Sequence, residues 1–143
     1  MAGLNSENTG KGRDFQEIAA KLLSQLWGVT LVSDHPIAIG TPPKKHRFDL
    51  STLDIAYAGE CKNYSWTETG NVPSAKMGFM NEAVFYLSFL PSSTLKFIVM
   101  RRDTHMRHRE SLAEYYHRQY HHILGETHLF EIDIELRTIR EIR

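Results

Sequence analysis

The segment FDLSTLDIAYAGECK, residues 48–62, decides the fold predicted for this chain. It contains two short stretches rich in apolar residues, separated at residues 51–54 by residue types that favour a turn, and this pattern predicts a β-hairpin. In a hairpin centred between Asp54 and Ile55, Asp49 and Glu60 lie directly opposite each other with their side chains on one face. Because opposed Cβ atoms are about 5 Å apart, the two carboxylates are predicted to lie close enough to share one divalent cation.

Three ionisable groups are predicted to meet on this face. Side chains alternate along a strand, so Lys62 lies on the same face as Glu60 while Cys61 points to the other face. A divalent cation held by two carboxylates can activate water and bind phosphoryl oxygens, which predicts a metal-assisted hydrolytic site. The same residue types also occur as solvated ion pairs on exposed strands, but the small residues Ala56 and Ala58 on the Glu60 face favour the site.

The composition predicts one soluble, folded domain over residues 1–143, with residues 1–10 flexible. The 17 basic residues balance the 17 acidic ones, so no global positive field attracts nucleic acid, and phosphate binding would need a local patch. The N-terminus has no apolar signal sequence, and no apolar run is long enough to span a membrane. The single cysteine fits a reducing interior, so we expect a cytoplasmic protein that does not associate with membranes.

Hydrophobic periodicity predicts a helix, three strands, a helix, a strand, a helix and a strand. The helices are predicted over residues 13–27, 73–90 and 106–124; the strands over residues 29–39, on either side of the hairpin turn, and over 95–100 and 130–136. Pro36 is expected to bend or end the first strand. An α/β fold with helices on both faces of a mixed sheet buries these elements economically.

Asp49 and Glu60-Cys61-Lys62, together with Glu17 on the first helix, resemble the motif of the PD-(D/E)XK nuclease superfamily. The resemblance covers residues 11–101 and is greatest to Holliday-junction resolvases and Mrr-like endonucleases, with Phe48 in place of the nominal proline. It implies a restriction-endonuclease-like αβββαβ core, to which this chain adds a C-terminal helix and strand.

The resemblance also implies roles for these residues. Asp49 and Glu60 would be the metal carboxylates, with the backbone carbonyl of Cys61 as a further ligand. Lys62 would orient the attacking water, and Glu17 would assist a second metal or hold a metal-bound water. The implied cofactor is Mg²⁺, with Mn²⁺ able to substitute.

The implied activity is that of a metal-dependent endonuclease that cleaves DNA, with a homodimer needed to cut two strands or a junction. The alternative is a catalytically inactive module on the same fold that binds nucleic acid or a partner protein. A further alternative is a zinc-binding domain that uses His117 and His121, which are spaced i and i+4 on the third predicted helix.

Basic side chains on both sides of the motif are candidates for contacts with a phosphate backbone. Several of them are equally consistent with a solvated helix face. The candidates are Lys44, Lys45, Arg47, Lys76, Arg101, Arg102 and Arg107.

Overall fold

Helices and strands alternate along the chain in a computed structural model that describes the backbone of residues 2–143 and the side chains of residues 10–143. The elements are α1 (Ala2–Trp27), β1 (Val32–Ser33), β2 (Pro36–Ile39), β3 (Lys44–Arg47), β4 (Leu50–Ser51), β5 (Tyr57–Lys62), α2 (Ser74–Leu87), β6 (Leu95–Arg101), α3 (Leu112–Leu124), β7 (His128–Asp133) and β8 (Thr138–Ile142). The flexibility predicted for residues 1–10 stays a prediction, since the side chains of residues 1–9 lie outside the described part. Among the described residues, no helix has both the length and the hydropathy needed to cross a bilayer.

The central sheet of the described chain has six strands in the order β1-β4-β5-β6-β7-β8. Strands β5, β6 and β7 run parallel to one another, whereas the outer pairs are antiparallel. Strands β2 and β3 form a separate two-stranded sheet. The predicted α/β class with a mixed sheet is therefore confirmed.

Helices cover both faces of this sheet, and side chains that alternate along β6 pack against the helices on each face. Phe97 and Val99 pack in one cluster with the α1 residues Phe15 and Leu23. Ile98 and its neighbours on the opposite face pack in a second cluster with α2 and α3. Because β6 is buried on both faces, its sequence is a continuous apolar run, as parallel strands typically show.

The hairpin register agrees with the prediction. Leu50 pairs with Gly59 and Ser51 pairs with Ala58, and one further step along the same register places Asp49 opposite Glu60. Strand β4 is only two residues long, so Asp49 lies immediately before it.

The first strands differ from the prediction in two respects. Residues 29–39 do not form one strand that bends or ends at Pro36, because Pro36 is the first residue of β2. Proline is tolerated at the start of an edge strand because its missing N–H removes no central ladder bond. Residues 44–47, for which no helix or strand was predicted, form β3 and pair with β2 in a hairpin beside the main sheet.

The C-terminal elements also differ from the prediction. Helix α3 begins at Leu112, not at residue 106, because Ser111 and Glu114 form a reciprocal capping box that defines its start. Strand β7 is followed by β8, which was not predicted. The alternation of apolar and charged residues over 130–136 predicts a half-buried strand, but Glu131 of β7 is only 2% exposed. Arg102 and Arg140 donate hydrogen bonds to Glu131 Oε1, and Ser111 donates one to Glu131 Oε2, which compensates for burying this charge.

Candidate active site

Asp49 and Glu60 form a carboxyl pair where β4 and β5 meet. Gln16 of α1 donates a hydrogen bond from Nε2 to the Asp49 backbone oxygen at 3.0 Å. The Cys61 N–H donates to Asp49 Oδ2 at 2.8 Å. These two contacts fix both the backbone and the carboxylate of Asp49, so its position does not depend on the short strand β4 alone.

Glu60 is 7% exposed, and its environment opposes ionisation. Burial raises the pKa of Glu60 to about 9, and the hydrogen bond and negative charge of Asp49 add to this effect, whereas Lys62 opposes it. Glu60 therefore holds a proton at neutral pH when no cation is bound. A site of this kind favours an added positive charge.

Lys62 lies on the same side of β5 as Glu60, as predicted. Its Nζ is 5.8 Å from the centre of the Tyr64 ring, and Lys76 Nζ approaches the same ring at 5.2 Å. Cys61 points to the opposite face and packs with the α1 cluster, where burial raises the pKa of its thiol. Two ammonium groups thus flank Tyr64 beside the carboxyl pair.

His46 lies against the pair, although no pattern in the sequence indicated it as a site residue. His46 Nε2 lies 3.4 Å from Glu60 Oε1. The ring stacks on Tyr86 of α2 at 4.3 Å with an interplanar angle of 11°, and its edge meets Phe48. Burial lowers the pKa of His46 although Asp49 and Glu82 act in the opposite sense, so the ring is neutral at neutral pH.

Glu17 is the predicted catalytic residue that the structure places apart from the others. It lines a cavity of about 770 Å³ together with Asn63 and Arg101. Arg101 follows Phe97 and Val99 in the alternation of β6 and so lies on the α1 side of the sheet, opposite the side of Glu60. The α1 residue that contacts Asp49 is Gln16, next to Glu17.

The candidate phosphate contacts fall into two groups. Lys44, Lys45 and Lys76 are exposed. Each candidate arginine already has an internal acceptor: Arg47 the backbone oxygen of Asp34, Arg101 the side chains of Asn63, Ser65 and Asp103, Arg102 the carboxylate of Glu131, and Arg107 the backbone oxygen of Thr69. The lysines are therefore the stronger candidates for contacts outside the chain.

Contacts with the segment that follows β6 hold the loop that follows β5. The ring of Trp66, which is 5% exposed, stacks on His108 with ring centres 3.7 Å apart, and the Trp66 backbone N–H donates to Asp103 Oδ2 at 2.8 Å. His108 Nε2 is also 2.6 Å from the backbone oxygen of Gly70. Trp66 therefore anchors the loop that follows Lys62, and its partners in the segment after β6 hold this loop in place.

The donor set fits magnesium better than zinc. No group of three or more His, Cys, Asp or Glu side chains that could hold a metal occurs among the described residues. His117 and His121 stack with ring centres 5.3 Å apart, and no third side chain of these types from the described part of the chain joins them to complete a zinc site. Magnesium needs only one or two carboxylates, with water and substrate phosphate as its other ligands, and Asp49 and Glu60 meet that requirement.

Fold and site together define an α/β protein in which the buried Glu60, the half-buried Asp49 and an adjacent lysine lie where β4 and β5 meet. No family model matches the chain, and no curated protein matches it significantly. A solved structure with a similar fold is that of an FdxN element excision controlling factor protein from Anabaena variabilis. Its TM-score is 0.54 at 14% sequence identity, and the match covers 90% of this chain and 98% of that one. At this identity the similarity concerns the fold alone.

Proposed function

We propose that this protein is a magnesium-dependent nuclease of the PD-(D/E)XK class that hydrolyses phosphodiester bonds in DNA. The observation that carries the proposal is the hairpin register, which sets Asp49 opposite Glu60 with Lys62 two residues further along the same face. This is the constellation that the sequence resemblance implies.

The two carboxyl groups would hold Mg²⁺, with the Cys61 carbonyl as a further ligand, and Mn²⁺ would be able to replace it. When bound, the metal activates water and neutralises charge on the phosphoryl oxygens. With the cation in place Glu60 would be ionised, because the cation would supply the positive charge that its buried site lacks.

The remaining steps fall to the side chains of this chain. Lys62 orients the attacking water and offsets negative charge that develops in the transition state. The hydrogen bonds from Gln16 and Cys61 keep Asp49 in place, so the pair needs little rearrangement when the substrate binds. Glu17 lies on the other side of the sheet, and the proposal does not require it.

A plasmid-nicking assay in magnesium, in manganese and in chelator tests this proposal. We expect cutting only with a metal, and at least about a hundredfold loss in Asp49→Ala and in Lys62→Ala, because each removes a charged group from the transition state. Lys21→Ala is the matched control, since Lys21 is exposed on α1 and should retain full activity.

The outcomes separate the proposal from its alternative. Metal-dependent cutting that persists in both site variants would point to a contaminating nuclease and contradict the proposal. If the purified wild type binds DNA but cuts no substrate with either metal, a binding module on the same fold becomes the better description.

A further inference from the structure

A groove of about 260 Å³ lies between the β2–β3 hairpin and the C-terminal part of α2. Phe85 and Phe89 line it although they are 61% and 47% exposed. Their rings meet edge to face with centres 5.1 Å apart, and Tyr86 lines the groove beside them. This gives a contiguous aromatic surface, which is unlike the single exposed apolar residues that are normal on protein surfaces.

The groove is also positively charged. Lys44 and Lys45 of β3 are exposed and line it, and no carboxylate is among its lining residues. Glu82 lies near His46 but does not line the groove. Aromatic faces with cations alongside are the surface on which single-stranded nucleic acid binds, since bases stack on the rings and phosphates meet the charges.

The groove leads to the carboxyl pair. His46 lines it and stacks on Tyr86, while its Nε2 lies 3.4 Å from Glu60 Oε1. A chain of aromatic rings therefore runs from Phe89 to the proposed metal site. A single nucleic-acid strand whose bases follow these rings would bring its phosphates to Glu60.

We propose that this groove binds unpaired nucleotides, whose bases stack on Phe85 and Phe89 while Lys44 and Lys45 hold the phosphates. The inference rests on the proposed nuclease function and narrows its substrate class to nucleic acid with a single-stranded segment next to the cleaved bond. The bases of a regular duplex are stacked on each other and cannot reach these rings.

Fluorescence anisotropy of labelled oligothymidylate and of a labelled duplex, both in chelator, tests the groove without cleavage. Phe85→Ala and Phe89→Ala are each expected to weaken binding of the single strand at least about fivefold and to leave duplex binding unchanged. Phe79→Ala is the matched control, because Phe79 is on the same helix and 47% exposed but does not line the groove. All three residues are exposed, so melting temperatures should match the wild type.

Salt titration tests the lysines. The double variant Lys44→Gln, Lys45→Gln should reduce the slope of log affinity against log salt by about 1.4, or about 0.7 per lost phosphate contact on a single strand. Lys21→Gln should leave the slope unchanged.

Three results would overturn the inference. The first is a loss of affinity in Phe85→Ala or Phe89→Ala that is equal for single strand and duplex, and the second is an equal loss of single-strand affinity in Phe79→Ala. The third is sedimentation showing that Phe85→Ala converts a dimer to a monomer, which would make the groove a surface for a second copy of the chain. Binding in chelator is independent of cutting. A groove that behaves as expected in a protein that never cuts would therefore keep this inference as a binding property and remove the nuclease proposal.

Discussion

Glu60→Gln is expected to make the protein more stable in chelator at pH 8 and to abolish its response to magnesium. Burial raises the pKa of Glu60 to about 9, with Asp49 adding to the effect, whereas the unfolded chain has the ordinary value near 4.5. Between these two values the unfolded state releases the proton and the folded state keeps it. Stability of the wild type therefore falls as pH rises from about 4.5 to about 9.

Glutamine removes this pH dependence because it cannot ionise, and its amide can still donate to Asp49. We expect a gain on the order of 2–3 kcal/mol near pH 7, measured by urea denaturation at a series of pH values in chelator. Millimolar magnesium should raise the wild-type melting temperature at pH 8, since a ligand that binds only the folded state stabilises it. The variant should show no such rise and no cutting.

Glu135→Gln is the control for this experiment, because Glu135 is an exposed carboxylate between β7 and β8. It should keep both the pH profile and the magnesium response of the wild type. Parallel pH profiles for the wild type and Glu60→Gln would contradict the assignment of a buried Glu60 that is protonated at neutral pH.

The hairpin could be predicted from the sequence because its information is local. The turn residues and the spacing of Asp49 and Glu60 define one register, and a slip by one residue would exchange every side chain between faces. Strand β6 was predictable for a similar reason, since only a strand buried on both sides carries so continuous an apolar run. The main features of the site follow from these two segments.

His46 and the β2–β3 hairpin could not be predicted in this way. The sequence Lys44-Lys45-His46-Arg47 has no apolar alternation, and its strand exists because it pairs with the preceding residues and packs through His46 against Tyr86. That contact joins positions forty residues apart in sequence. The position of Glu17 likewise depends on how α1 packs on the sheet, which turns Gln16 toward Asp49.

The C-terminal differences have a partly local cause. The spacing of Ser111 and Glu114 is the signature of a capping box, so the start of α3 could have been predicted from the sequence. Burial of Glu131 was not predictable from β7 alone, because the arginines that balance its charge are Arg102, which follows β6, and Arg140 of β8. An alternating strand was therefore interpreted as half-exposed.

Gly59→Ala is expected to destabilise the fold and to reduce cutting, although it adds one methyl group. A Cβ at Gly59 would lie 2.3 Å from the backbone oxygen of Phe97 and 2.4 Å from its ring. Phe97 is fully buried, and its ring packs 5.2 Å from that of Trp27, so neither the backbone nor the ring can move aside. Strand β5 would have to separate from β6, which also displaces the adjacent Glu60.

We expect Gly59→Ala to lose about 3 kcal/mol, a fall of roughly 6–15 °C in melting temperature for a chain of this length. Gly78→Ala provides the matched control, since Gly78 is exposed within α2 and no atom lies within 4 Å of an added Cβ. There the smaller entropy loss of alanine should raise stability by about 0.5–1 kcal/mol. Thermal melting of both variants decides the matter: a Gly59→Ala protein that melts within about 2 °C of the wild type would show that β5 and β6 do not pack as closely as the structure indicates.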